Sequence, residues 1–393
     1  MALITFWRAN QESKEQILKM NIEQILSSSG DGKLKDNSET SKEFREFLSE
    51  VEFEKLSEYA RYCINNKPFE EGGQVLQDLV NEIGRRLDFK VENGRYRGVK
   101  NEIGFDGIWF SNDESLIIEV KTTNAYSIDL ETPITYRDKL FEQGRVKKDT
   151  PILFVIGRDD TSSLEAQVRG SKHAWSIRII GIDALIKLME VNLSTLGSEV
   201  TEKIHTILRP FEYTRIDKIV DVVFTAAEDK NQEVDENETS EEQDADESAE
   251  NNKSLNAIEE KRLEGISKLS NYLKTTLIKR RRTFYSDHSK EIHASIAISK
   301  RYESSKPGYW YGYHTRQIKY LQEAKNGYMV YGMLDKETFF AIPFEKLEAL
   351  RLKMDKTQKE KKDYWHIRFE EKKNGIFLKL NDGTEIDLKE FII

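Results

Sequence analysis

The sequence predicts an α/β protein whose mixed-sheet core lies between an N-terminal helical layer and a separate α+β C-terminal domain. Three observations lead there. Helical periodicity gives way to short extended runs between residues 70 and 190, an acidic tract follows, and a basic segment of alternating short strands and helices ends the chain. With 393 residues and 38 % apolar content, the chain has material for two or three domains with real cores. We expect a helical region at 1–69, a central domain at 70–227, an acidic linker at 228–255 and a basic α+β domain at 256–393.

In the first region, Phe44, Phe47, Leu48, Val51, Leu56, Tyr59 and Tyr62 recur at helical intervals, with Ser41 as the candidate cap. Val75, Leu76, Leu79, Val80, Ile83 and Leu87 make one face of the next helix, with Glu82 on its flank. Extended segments follow, with turns expected at Asn93-Gly94 and Asn112-Asp113. "SLIIEVKTT" reads as a strand, and the unbroken apolar run "PILFVIG" as a strand covered on both faces. "SSLEAQVRGSKHA" reads as a crossover helix, "WSIRIIGI" as a further strand, and "DALIKLMEV" as a helix capped by Asp183. The expected order is α-β-β-β-α-β-α.

The net charge of −9 hides an uneven distribution. Residues 228–255 hold 12 acidic and 2 basic side chains, whereas 256–393 hold 28 basic and 20 acidic. The acidic tract has too few large apolar residues to offset its ordering entropy, so a flexible linker is expected. Its charge is why the chain as a whole does not look like a nucleic-acid binder, although its C-terminal part is basic. A single cysteine, Cys63, excludes an intramolecular disulfide framework and any multi-cysteine zinc site, and fits a reducing cytoplasm. The first residues have no basic start followed by an apolar core, and no apolar run reaches the roughly 20 residues of a membrane span. A cytoplasmic protein is expected. There is no glycine-rich phosphate loop, and the six histidines show no zinc-ligand spacing.

Glu-x-Lys occurs eight times in this highly charged chain, and only the copy at Glu119 ends an apolar strand. Residues two apart in a strand share a face, so Glu119 and Lys121 point the same way. Asp106 lies on the preceding strand, and a short hairpin would bring it beside Glu119. Two carboxylates offer hard oxygen ligands to Mg²⁺, for which Mn²⁺ can substitute, and an ammonium can orient a water and compensate phosphate charge. Phosphodiester hydrolysis is the natural chemistry of such a set. The bland alternative is a solvated, mutually paired surface triad.

Asp106 followed by Glu119-x-Lys121, after an amphipathic helix, resembles the PD-(D/E)XK nuclease superfamily, which includes restriction endonucleases, Holliday-junction resolvases and phage-defence nucleases. The resemblance covers about residues 70–191, and Phe105 stands where the motif's proline would be. It implies a restriction-endonuclease-like fold of the bacterial defence type. It also implies Mg²⁺-dependent endonuclease activity on double-stranded DNA in restriction or anti-phage defence, with 5′-phosphate products. Asp106 and Glu119 would bind metal, and Lys121 would position the water. An acidic residue of the first helix often joins such a site, which makes Glu82 the candidate and Glu71 a weaker one.

Gln167, Arg169 and Lys172 are candidates to hold a phosphate, against the alternative of a polar helix face. Arg280, Arg281 and Arg282, beside Phe284 and Tyr285, suit a nucleic-acid backbone or, alternatively, a charged helix end. In "KPGYWYGYHTRQIKYL", Tyr309, Tyr311 and Tyr313 share one strand face and Trp310 takes the other. One of those faces must pack into a core, and the other is a candidate to stack a base, so Trp310 and Tyr311 are both carried as nucleic-acid candidates. Cutting both strands of a duplex favours a homodimer. The rival readings are a non-cleaving DNA-binding module, and a signal-gated defence effector whose C-terminal domain senses a ligand or a phage protein.

Overall fold

The computed structural model describes residues 3–65, 68–97, 103–112, 114–122, 127–157, 162–195, 199–209, 248–302, 308–359 and 362–393. The chain divides into two compact units, Met1–Asn192 with Ser198–Ala226, and Leu193–Gly197 with Ala227–Ile393. Residues 228–247 of the expected acidic linker lie outside the described residues.

The first unit begins with helices α1 (Leu3–Trp7), α2 (Gln11–Leu18), α3 (Ile22–Ser27), α4 (Glu39–Glu50) and α5 (Phe53–Asn65). The helical stretch expected across 41–64 is therefore two helices. The backbone turns extended at Val51 (ψ 142°), and Ser38 rather than Ser41 caps α4 by accepting the Ser41 N–H. Trp7 packs edge-on to Phe47 at 5.3 Å, and Arg8 pairs with Glu46 and Glu50, which fastens α1 to α4.

Helix α6 (Gly72–Arg86) joins this layer to a five-stranded sheet in the order β1-β2-β3-β4-β5. Its strands are β1 (Lys90–Asn93), β2 (Gly107–Ser111), β3 (Glu114–Lys121), β4 (Ile152–Ile156) and β5 (Ile177–Gly181). The first three pair antiparallel and the last three parallel, so the sheet is mixed, as the sequence leads us to expect. All five residues of β4 are buried, which is why that segment reads as an unbroken apolar run. The β2–β3 hairpin turns at Asn112, whose φ of 50° suits asparagine.

Four helices complete the unit: α7 (Glu131–Glu142), α8 (Ser162–Arg169), α9 (Ile182–Ser194) and α10 (Glu199–Ile207). The sequence pattern did not reveal α7, which lies between β3 and β4. Asn93-Gly94 is not a turn: the Gly94 N–H extends the ladder to the Asp106 carbonyl at 3.0 Å. A Cβ on Gly94 would sit 1.7 Å from the Phe105 carbonyl oxygen, so only glycine fits there. Asp183 is not a cap either; it lies inside the first turn of α9 and pairs with Arg61 at 2.7 Å.

The second unit opens with α11 (Ser248–Leu273), which takes up residues 248–255 of the stretch expected to be linker. Its first sheet runs β12-β11-β8-β7-β6, from β6 (Ile278–Arg281), β7 (Phe284–Ser286), β8 (Ile292–Ser299), β11 (Asn326–Met333) and β12 (Phe339–Pro343). The second runs β16-β15-β14-β10-β9, with β13 paired to β14. Its strands are β9 (Arg301–Tyr302), β10 (Gly308–His314), β13 (Lys356–Lys359), β14 (Lys362–Lys372), β15 (Gly375–Lys379) and β16 (Glu385–Asp387). Helices α12 (Thr315–Gln322) and α13 (Phe344–Arg351) fill the connections. Inner faces of both sheets share one core, in which Tyr309, Tyr311, Ile367 and Phe369 meet Met329, Tyr331 and Phe340. The helix α11 covers the far side of the first sheet through Ile258, Ile266 and Leu269. Among the described residues, no helix is long and apolar enough to cross a membrane.

Candidate active site at the end of strand β3

Asp106 precedes β2 and lies one step beyond the β2–β3 ladder, in line with Glu119: Gly107 pairs with Ile118, and the Asp106 N–H donates to the Ile118 carbonyl at 3.1 Å. Its carboxylate Oδ2 accepts the Val120 N–H at 2.6 Å. Lys121 Nζ donates to Glu119 Oε2 at 2.9 Å. Among the described residues, Asp106 Oδ1 and Glu119 Oε1 accept no hydrogen bond. Each acid thus keeps one oxygen for another partner.

The electrostatics follow from enclosure. Burial pushes the Glu119 carboxyl up to about 7, and the nearby Asp106 charge adds to the rise while Lys121 opposes it. Burial also raises Asp106, against the pull of the Val120 N–H and of Lys121. Burial alone would lower Lys121, but Glu119 and Asp106 outweigh it and raise its pKa.

Helix α6 positions this set by a route the sequence reading missed. Gln77 and Asn81, one turn apart, both donate side-chain N–H groups to the Asp106 carbonyl, at 3.1 and 2.8 Å. Asn81 Oδ1 also accepts the Trp109 indole N–H at 3.0 Å, so a single buried amide ties helix, Asp106 and β2 together. Gly107 leaves space for that amide, since a Cβ there would lie 2.2 Å from Asn81 Oδ1. The available signal was two amides set four apart on an otherwise apolar helix stripe.

Glu82, the expected helix-borne acid, is not part of this set. It is 1 % exposed and pairs with Arg86 at 3.1 Å and Arg85 at 3.4 Å, while Arg86 also donates to the Leu48 and Val51 carbonyls. It serves the junction of α4 and α5. Glu71 stands at the start of α6 with φ 68° and carries a buried oxygen, Oε2, with no hydrogen-bond partner among the described residues. No group of three or more His, Cys, Asp or Glu arranged to hold a metal ion is found among the described residues.

The other candidates are spread out. Gln167 is committed to the Ile128 backbone, accepting its N–H at 3.1 Å and donating to its carbonyl, so it clamps the segment after β3 rather than offering a free amide. That segment carries Asp129, whose charge bears on both Glu119 and Lys121. Arg169 is exposed beside Glu165 at 3.8 Å, and Lys172 lies 3.4 Å from Glu131. Arg280, Arg281 and Arg282 sit on the β6–β7 hairpin, not on a helix end, and Arg280 is held by Ser286 at 2.8 Å and by the Asp287 carbonyl. Tyr311 is only 3 % exposed and donates its hydroxyl to the Gly332 carbonyl at 3.0 Å, so it is a core residue and not a stacking platform. Trp310, on the opposite face of β10, is half-buried.

No protein family and no curated protein matches the chain. Among solved structures, that of the restriction endonuclease FokI is similar over 35 % of this chain and 27 % of that one, at 15 % identity and a TM-score of 0.25. The likeness thus spans about a quarter of FokI's length.

Proposed function

We propose that the chain is a Mg²⁺-dependent endonuclease that hydrolyses phosphodiester bonds of double-stranded DNA in restriction or anti-phage defence. In this reading residues 70–227 cut and the C-terminal part recognises a target or partner. The observation that carries the reading is the register of β2 and β3, which sets Asp106 opposite Glu119 with Lys121 bound to Glu119 at 2.9 Å.

The donor set fits Mg²⁺, which takes one or two protein carboxylates and fills its other positions with water and substrate phosphate oxygens. Asp106 Oδ1 and Glu119 Oε1 are the oxygens available to hold it. A bound Mg²⁺ would supply a water of lowered pKa and offset charge building on the phosphate. The protein's own part is then positional. The Val120 N–H holds the Asp106 carboxylate, Asn81 and Gln77 hold its backbone, and Lys121 stands ready to orient the water or to face the phosphate.

The test is cleavage of supercoiled plasmid by the full chain with Mg²⁺ or with EDTA. Nicked or linear product with 5′-phosphate ends in Mg²⁺ alone is expected. No cleavage, or cleavage that persists in EDTA, would overturn the reading.

A further inference from the structure

Strand β10 has two different faces. Tyr309, Tyr311 and Tyr313 oppose Phe369, Ile367 and Trp365 of β14 on the side that builds the shared core. Trp310, Gly312 and His314 oppose Arg368, His366 and Tyr364 on the other side. On that outer side four rings touch: Trp310–His366 at 5.5 Å, Trp310–Tyr364 at 5.9 Å, Tyr364–His366 at 5.1 Å and His314–Tyr364 at 5.2 Å. All four residues are half-buried, and none belongs to the core cluster.

The cluster is held in place by hydrogen bonds. Trp310 Nε1 donates to His366 Nδ1 at 2.9 Å, and His366 Nε2 lies 2.7 Å from the Thr357 hydroxyl. Since Nδ1 accepts, a neutral ring carries its proton on Nε2 and donates it to Thr357. Burial, aided by Arg368, lowers the His366 pKa, which agrees with the neutral form. Gly312 lies beneath His314, whose Nε2 would be 2.7 Å from a Cβ on that glycine. The core accounts for the three tyrosines but not for these rings. Half-buried rings on the outward side of a strand, outside the core, offer flat faces on which a base can stack.

The charge around the rings points to the occupant. Residues 256–393 carry 28 basic and 20 acidic side chains, which suits a polyanion. Arg368 is half exposed next to Trp310 in the register, with Lys379 beyond it. Both cations already have carboxylate neighbours, Asp355 at 3.4 Å and Glu370 at 2.8 Å. A phosphate must displace those acids, so ring stacking has to supply most of the affinity.

We propose that this face binds unpaired bases of a single-stranded DNA segment, with Trp310 and Tyr364 as stacking platforms and Arg368 and Lys379 at the backbone. This site is independent of the cleavage reading, because it lies wholly in the second unit and needs neither Asp106 nor Glu119.

The test uses the full chain in EDTA with a short fluorescein-labelled single-stranded DNA and the same sequence as a blunt duplex. Anisotropy should show the single strand bound. Trp310→Ala and Tyr364→Ala should each weaken that binding about tenfold, in line with the loss of one stacked base. Trp310→Tyr should restore most of it. Because the cations are pre-paired, the salt dependence should be shallow, with a slope of about −1 in a log–log plot. The proposal is overturned if both alanine variants bind the single strand like wild type, if they weaken duplex binding as much as single-strand binding, or if the slope is steep. It is equally overturned if Trp310→Ala turns a dimer into a monomer while leaving oligonucleotide binding unchanged, since the face would then be a contact between copies of the chain.

Discussion

The Asp106 carboxylate accepts the Val120 N–H at 2.6 Å, so the acid just before strand β2 is fastened to the backbone between Glu119 and Lys121. With the Lys121–Glu119 bond and the amides of Gln77 and Asn81 on the Asp106 carbonyl, this bond holds the three charged groups together. Small changes around Asp106 should therefore act on catalysis as much as on stability.

Asn81 is where that coupling is most easily tested. Asn81→Ala removes the donor to the Asp106 carbonyl and the acceptor for Trp109 from a site only 1 % exposed. Unfolding in urea should show a loss of about 1–3 kcal/mol. At temperatures where the variant stays folded, its cleavage rate should fall at least tenfold. An unchanged rate in the folded variant would show that the α6 amides do not position Asp106.

Glu82→Gln separates a structural acid from a site acid. Arg86, whose side chain is buried, is left with a charge that no carboxylate balances, so stability should drop by about 3–5 kcal/mol. Cleavage per folded molecule should hold near wild type. Glu71→Gln is the complementary variant, since Glu71 Oε2 has no hydrogen-bond partner among the described residues and Oε1 only a distant one in Arg97 at 3.9 Å. Loss of cleavage in folded Glu82→Gln would return this residue to the active site.

Much of this was legible in the sequence, for reasons tied to particular residues. The period of two placed Glu119 and Lys121 on one face, and the short hairpin placed Asp106 beside them. Strand alternation also split Trp310 from Tyr309, Tyr311 and Tyr313, but only the register with β14 decides which side is core. Helix α7 stayed hidden because "ETPITYRDKLFE" has few apolar residues and a proline; Pro133 falls in the first helical turn, where proline is tolerated. Glu82 misled because a charge on a helix flank does not reveal that Arg86 awaits it on the next turn. The break after α4 depends on Arg86 reaching the Leu48 and Val51 carbonyls, a contact 35 or more residues away in sequence.

Glu119 should set the pH dependence. Its folded pKa, about 7, lies above its ordinary value of 4.5, so the folded state keeps a proton that the unfolded chain has already lost over that interval. The associated stability is present below the lower value and is lost as pH rises toward 7. Without divalent cation, Glu119→Gln should therefore raise the melting temperature relative to wild type more at pH 8 than at pH 5. A thermal melt of both proteins at each pH checks this, and an equal difference at the two values would refute it. Since metal competes with that proton, the cleavage rate should climb through about pH 7, with a midpoint that moves down as Mg²⁺ is raised.

The central claim is that Asp106, Glu119 and Lys121 form one metal-dependent hydrolytic site, and plasmid nicking in Mg²⁺ by folded variants tests it most directly. Asp106→Asn, Glu119→Gln and Lys121→Ala should each lose at least about 100-fold in rate, the size of effect of a lost general acid–base or charge-stabilising group. Glu82→Gln and Tyr311→Phe should stay within a few-fold of wild type. Rates equal to wild type in all three site variants would contradict the account.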